Sequence, residues 1–354
     1  MTAPARADTA ALVLDGSHDE GGGQILRTAL GLAVAVGRPL RMVRIRARRP
    51  RPGLQPQHLT VVRALAQVSG AAVSGVALDS TELSFAPGAP CGGEYGFVIG
   101  AVKGSAGSVT LLFQALLLAL LRAPRASHLV LAGGTHVPWS PPFHYLADVF
   151  LPAVGAAGVD AKIALHRWGW YPAGGGEMEA WIVPSSALRG VTLSAAPRPL
   201  RLTGLSAVSR LPRSIAERQR RRAEEDLRAA GLDAEIAVHE DTAARSPGTL
   251  LFLAAVGRAG FSALGRRGLP AEAVADDAAA RTCAWAKSGA AVDDHLADQL
   301  VPFLALAGAP SAFTCPTISG HLRTVAWVVE QCLPVHVDLH DGPPAARVEI
   351  DAAP

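Results

Sequence analysis

The stretch ALVLDGSHDEGGGQILRTALGLAVAV, residues 11–36, decides the fold class. Residues 11–14 are apolar and read as a short strand. A turn with Gly21, Gly22 and Gly23 follows, and 24–36 reads as an apolar helix. Working outward, the alternation continues. Residues 40–47 read as a strand, 57–69 as a helix after a Pro-Gly turn, and 73–78, 82–85, 96–99 and 128–131 as strands. The expected class is therefore α/β (α+β), built in layers. Strand, glycine-rich turn and helix recur around Gly104, Gly133 and Gly174, which hints at repeated units.

The texture changes near Leu188. Residues 201–208 read as a strand, and 214–229 as an amphipathic helix with Ser214 and Glu217 as a capping box and Gly231 as its stop. Strands at 234–238, 250–255 and 261–263 complete a small α/β domain over 188–287, inserted into a main domain of 10–187 and 288–354. The main texture resumes with helices from about Asp294 and His321 and strands at 335–339 and 347–350. Residues 1–9 read as a disordered tail without the apolar core of a secretory signal.

Hydrophobic residues make up 49% of the 354, enough for a large core, and charged residues at 18% are too few for a disordered chain. A net charge of +3 gives no global basic field. Lysine occurs only at Lys103, Lys162 and Lys287, and the remaining basic residues are arginine. Arginine suits bidentate contacts to phosphate, but a GC-rich coding bias gives the same excess, so only clustering is informative. Cys91, Cys283, Cys315 and Cys332 form no CxxC pair, which points to a reduced, cytoplasmic protein without structural zinc. The longest apolar run, 109–121, is too short to span a bilayer and contains Gln114, so it reads as a buried helix and no membrane partner is expected.

Five motifs can carry chemistry. In Asp19 to Arg27, three glycines let a ligand approach a helix N-terminus, Glu20 can hold a phosphate-bridging metal, and Arg27 lies one turn on. An ordinary strand-to-helix turn fits the same residues. In Arg44 to Gly53, strand alternation sets Val43, Ile45 and Ala47 on one face and Arg44, Arg46 and Arg48 on the other, a phosphate face or a solvated edge. Gln57 and His58 open the next helix. Gly104 to Ser108 leads into the apolar helix, whose Gln114 needs either a core partner or a ligand. Asp293 and Asp294 suit a helix start, with His295, Asp298 and Gln299 sharing a face. Ser319 and Gly320 place His321 at a helix N-terminus, whose field disfavours imidazolium and keeps the ring neutral and nucleophilic, although a structural histidine fits there too. His336, Asp338 and His340 alternate with Val335, Val337 and Leu339, which marks a solvated strand face rather than a metal cluster. The basic run 218–222 lies on the polar face of its helix, solvated or in touch with RNA.

The stretches EGGGQILR, IRARRPRPGLQPQHL, KGSAGS, AGGTHVPWSPPF, WYPAGGGE, HLADQL and SGHLRT, in this order, resemble the RNA 3′-terminal phosphate cyclase family from Leu12 onward. The resemblance implies three repeated units, each a four-stranded sheet with two helices, and a small inserted domain like the C-terminal domain of a bacterial translation initiation factor. It implies an ATP-dependent ligase of RNA processing or repair that closes an RNA 3′-terminal phosphate to a 2′,3′-cyclic phosphate, through a covalent histidine–AMP and an RNA-adenylate. His321 takes the adenylated position and Glu20 the metal-placing one, for Mg2+ or Mn2+. Arg27, Arg46, Arg49 and Gln57 take the phosphate-holding positions. The nucleotide pocket maps to Gln114, Pro141, Tyr145, His295, Leu296, Ala297, Asp298 and Gln299. Two positions depart from the pattern: His295 stands where tyrosine is common, and Gly320 where bacterial relatives carry cysteine, a change expected to matter little. A non-catalytic cyclase-like RNA-binding protein of ribosome assembly would share the fold, but His321, Glu20 and Arg49 are all retained. A lysine-dependent polynucleotide ligase is disfavoured by the absence of a Lys-x-Asp-Gly setting. A metabolic enzyme of similar repeated-sheet architecture would not need the joint Arg and His motifs.

Overall fold

The computed structural model describes residues 11–99, 106–185 and 187–352, so the expected tail and the expected turn at Gly104 lie outside the described residues. Three sheets share one construction. The first unit runs β1 (Leu12–Asp15), α1 (Gly23–Val36), β2 (Leu40–Val43), α2 (Pro56–Ser69), β3 (Ala72–Ser74), β4 (Leu83–Ala86). The second runs β5 (Glu94–Val98), α3 (Val109–Leu120), β6 (Ser127–Gly133), then α4 (Phe143–Tyr145), a π-helical turn (Leu146–Phe150) and α5 (Leu151–Ala156) without a break, and β7 (Asp160–Arg167) and β8 (Gly176–Val183). The third begins at β9 (Thr192–Leu193). Before its first helix comes an insertion: β10 (Leu202–Ser209), α6 (Arg213–Ala229), β11 (Ala234–Asp241), β12 (Gly248–Ala255), β13 (Ala259–Leu264) and α7 (Ala271–Ser288). The third unit then resumes with α8 (Asp294–Leu306), β14 (Ser311–Cys315), α9 (Gly320–Cys332), β15 (Val335–His340) and β16 (Ala346–Ala352).

The strand orders are β1-β2-β4-β3, β5-β6-β8-β7 and, read from its other edge, β9-β14-β16-β15. In each, the first pair is parallel and the other two antiparallel. The insertion keeps this pairing sense but not the order of the strands along the chain: it runs β11-β10-β12-β13, with its first strand inside the sheet. Its strand β12 is buried on both faces. Leu250, Phe252 and Ala254 pack into the main core, while Leu251, Leu253 and Ala255 pack into a second core with Ala223 and Leu227 of α6 and Val274 and Ala278 of α7. The period-two alternation of a strand thus joins two cores. α3 is apolar almost all round because it lies against α1, α2, β6 and β8.

Several local expectations are corrected. The strand expected over 40–47 stops at Val43, because Arg44 and Arg46 adopt φ of 51° and 54°. Left-handed residues break strand alternation, so the arginines do not line one strand face. Ile45 stays buried, while Arg44 turns to pair with Asp15. Gly174 sits in the turn before β8, and no helix follows it. Ser214 and Glu217 form no capping box: Pro212 occupies the cap, and Glu217 pairs instead with Arg213 at 3.1 Å. The basic run on α6 is tied to α7, through Arg218–Glu272 at 2.6 Å and Arg222–Asp276 at 2.7 Å. In β15, Val335 and Val337 are buried and His336 and His340 exposed, as the alternation predicts.

Candidate active site

α1 starts at Gly23 with no side chain capping its first turn and no acidic residue within it, so its N-terminal amides are free to meet an anion. Gly23 is required by close approach: a Cβ there would lie 2.3 Å from His58 Nε2 and 3.0 Å from Arg27 Nη1. His58 is a support. Its Nδ1 accepts from the Gln55 backbone at 3.1 Å and caps α2, and burial with Arg27 and Arg46 pushes its pKa down to about 3. It is therefore neutral beside the cations.

The arginines divide by what holds them. Arg46 donates to the carbonyls of Arg51 at 2.6 Å and Gly53 at 3.1 Å, and burial and then Arg49 hold its pKa below the usual value. Arg27, half-buried in α1, is pushed down to about 10 by burial, against the attraction of Asp298. Arg49 reaches Glu20 at 3.3 Å. A cluster of desolvated guanidiniums at an uncapped helix start favours a multiply charged anion. Gln57 points its Oε1 to the Ser108 amide at 3.4 Å, beside the N-terminus of α3.

His321 is the second residue of α9, whose cap is Ser319, with Oγ accepting from Leu322 N at 3.1 Å. Its Nδ1 lies 2.5 Å from Gln24 Oε1, and its Nε2 lies 3.4 Å from Glu20 Oε2. Its side chain is 48% exposed. Even so, burial lowers its pKa; the charges of His295, Arg49 and Arg27 add to this, and Glu20 opposes them. The neutral ring expected from the helix dipole is thus favoured chiefly by burial and cations. A Cβ at Gly320 would lie 2.5 Å from Glu20 Oε1, the end of an exposed side chain that is free to swing aside.

A cavity of about 750 Å3 opens from His321. Helices of all three units wall it: Gln24, Arg27 and Thr28 of α1, Gln114 of α3, His295, Asp298 and Gln299 of α8, and His321 of α9. Pro141 and Tyr145 also line it. Gln114 finds its partner in Gln299, Nε2 to Oε1 at 2.5 Å. Asp298 is buried near Arg27 and Gln24, and burial, then Asp293, push its pKa up to about 8. Asp293 caps α8, accepting from His295 N at 2.8 Å and Leu296 N at 2.9 Å. It also takes the Tyr145 hydroxyl at 3.0 Å and the Gly260 amide at 2.8 Å. Burial pushes the Asp293 carboxyl up, and these donors pull it back.

Two expected pocket residues are misplaced. Leu296 and Ala297 are fully buried on the other side of α8, in the core, and do not line the cavity. A helix turns 100° per residue, so a run of five neighbours cannot share one face. Glu20, Arg46, Arg49 and Gln57 also lie outside the cavity lining; Glu20 and Arg49 gather at the His321 end. Sequence reading missed Gln24, although its spacing to Arg27 places it on the same helix face. It also missed the wall contributed by the insertion, including Ser262, Asp277 and Arg281, and the fully exposed Trp139 held at φ 65°. The residues around Arg281 carry no local signal of such a wall.

The described residues include no group of three or more His, Cys, Asp or Glu placed to hold a metal ion. The sequence matches the family model for RNA 3′-terminal phosphate cyclase over residues 18–339. It is similar to the RNA 3′-terminal phosphate cyclase of Methylococcus capsulatus, at 44% identity over 93% of this chain and 92% of that one. The cyclase of Gloeothece citriformis is 42% identical over 93% and 95%, and that of Pyrobaculum neutrophilum 41% over 96% and 98%.

Proposed function

Since the chain belongs to the RNA 3′-terminal phosphate cyclase family, we propose that it uses ATP to close an RNA 3′-terminal phosphate to a 2′,3′-cyclic phosphate, with His321 as the covalent carrier of AMP. One observation carries this reading. A half-exposed, neutral imidazole stands where a nucleotide-sized cavity meets a carboxylate and an arginine cluster.

An unprotonated imidazole nitrogen attacks the α-phosphorus of ATP. A P–N bond forms, the bond to the bridging oxygen breaks, and pyrophosphate leaves. An oxygen of the RNA 3′-phosphate then attacks the same phosphorus and expels the imidazole, giving an RNA-adenylate. Arg27, Arg46 and Arg49 hold that terminal phosphate beside the free amides of α1. Finally the vicinal 2′-oxygen attacks the 3′-phosphorus, loses its proton and displaces AMP; the step is intramolecular, so proximity supplies much of its rate. Tyr145, Gln114, Asp298 and Gln299 orient the nucleotide in the cavity.

A single exposed carboxylate at Glu20, with no cage of further acidic ligands among the described residues, fits Mg2+ or Mn2+ held partly by substrate phosphates. Such an ion would neutralise charge on the phosphates. The inserted elements β10 to α7, which lie in the small domain expected over 188–287 apart from β9, contribute one wall of the nucleotide site. No described helix is long and apolar enough to cross a membrane, and the four free cysteines suit a reducing cytoplasm.

The test is incubation with α-labelled ATP and a divalent ion. The expected product is an acid-labile, alkali-stable adduct that is lost in His321→Ala. No adduct on the natural chain, or an undiminished one in the variant, refutes the mechanism.

A further inference from the structure

We infer that Gln24 is a positioning residue that sets the tautomer of His321 and so selects Nε2 as the attacking nitrogen. The inference rests on the adenylation reading above, but its central observable does not require activity. The Gln24 Oε1 lies 2.5 Å from His321 Nδ1. An amide oxygen only accepts, so this contact needs the proton on Nδ1. A neutral imidazole has one N–H, and the lone pair is then left on Nε2.

The amide could in principle be turned end for end, with its NH2 facing the ring and the opposite tautomer favoured. Its other neighbour favours the orientation in the structure. The Gln24 side chain also faces the buried carboxyl of Asp298 and pulls its pKa down against burial. Favouring the charged carboxyl takes a donor, so the NH2 faces Asp298 and the oxygen faces His321. Asp298 on α8, Gln24 on α1 and His321 on α9 thus form a chain of side chains across three helices.

The other ring nitrogen is the one turned toward the anion-binding end of the site: Nε2 faces Glu20 Oε2 at 3.4 Å, with Arg49 beyond it. A proton on Nε2 would leave no lone pair there to attack. The shorter contact at Nδ1 opposes this, and its removal should release the ring to the unproductive form. In a comparable case, a histidine held in the wrong tautomer loses about 10⁴-fold in rate.

The test uses the full chain with 15N-labelled imidazoles, the His321 resonances being identified by their loss in His321→Ala. In the natural chain His321 should carry its proton on Nδ1. Gln24→Leu should move it to Nε2 and slow formation of the His321–AMP adduct by about 10²- to 10⁴-fold. Gln24→Glu, which keeps an acceptor at the same reach, should restore the Nδ1–H tautomer and most of the adduct rate. An Nε2–H tautomer in the natural chain overturns the inference, as does an unchanged tautomer or rate in Gln24→Leu. The first readout stands even if a variant folds poorly. An Nδ1–H tautomer that responds to Gln24 in a chain forming no adduct supports the hydrogen-bond assignment and refutes the adenylation reading. An adduct that forms on an Nε2–H ring does the reverse.

Discussion

Asp293→Ala should destabilise the protein by about 3–5 kcal/mol, and the figure follows from what the carboxylate holds. Asp293 caps α8 through the amides of His295 at 2.8 Å and Leu296 at 2.9 Å, and losing such a cap costs about 1 kcal/mol. It also accepts from the Gly260 amide at 2.8 Å and the Tyr145 hydroxyl at 3.0 Å. Both donors are buried, and each left without a partner costs about 1–2 kcal/mol. The residue therefore ties three elements together: the start of α8, the helix of Tyr145 and strand β13 of the insertion. Urea unfolding of the full chain measures the loss, with amide exchange at Gly260 as a local probe, since two cores need not unfold together. Asp293→Asn keeps an acceptor for the cap but turns an NH2 toward the Gly260 amide, so it should cost about half as much. ATP binding should weaken in both, because His295, Asp298 and Gln299 are presented by the capped helix. A loss below about 1 kcal/mol in Asp293→Ala, or equal losses in the two variants, would refute this reasoning.

Other outcomes follow from the same contacts. Arg49→Ala should slow AMP transfer to RNA bearing a 3′-phosphate far more than Arg218→Ala, whose partner is Glu272 on the surface; equal effects in a single-turnover assay would remove Arg49 from the phosphate site. Gly23→Ala places a methyl 2.3 Å from the buried His58 ring and should cost about 1–3 kcal/mol in denaturant unfolding. Gly155→Ala, in open space within α5, should be neutral or stabilising, and a similar loss at both positions contradicts the packing account. Arg44, aided by Ser17, holds the Asp15 carboxyl well below its ordinary value of 3.8. Its ionised form is favoured in the fold, so that stabilisation is complete at neutral pH and fades as pH falls below 3.8. Stability curves of the natural chain and Asp15→Asn should therefore converge on acidification; a gap that widens toward acid would reverse the sign.

The sequence alone determined what is local. Residues 11–36 encode strand, glycine turn and helix because periodicity and turn chemistry act over a few neighbours. The caps at Asp293 and Ser319 were legible for the same reason, as were Glu20 and His321 as neighbours of helix starts. The long helix α7 escaped notice because its many alanines favour helix without marking a face. The arginine segment was misread as a strand because left-handed turns at Arg44 and Arg46 are set by the packing of Ile45 and the pull of Asp15, not by alternation.

Tertiary structure alone decided which of these signals meet. Gln24 and His321 are 297 residues apart, yet they share a hydrogen bond because α1 packs against α9. The common strand order of the three units and the insertion between β9 and α8 are facts of pairing, which local preference does not specify. The choice of His295, Asp298 and Gln299 over Leu296 and Ala297 was a matter of which side of α8 the core claims. His321, one helix-start histidine among eleven histidines, is set apart by a carboxylate, an amide and a cavity wall supplied by distant parts of the chain.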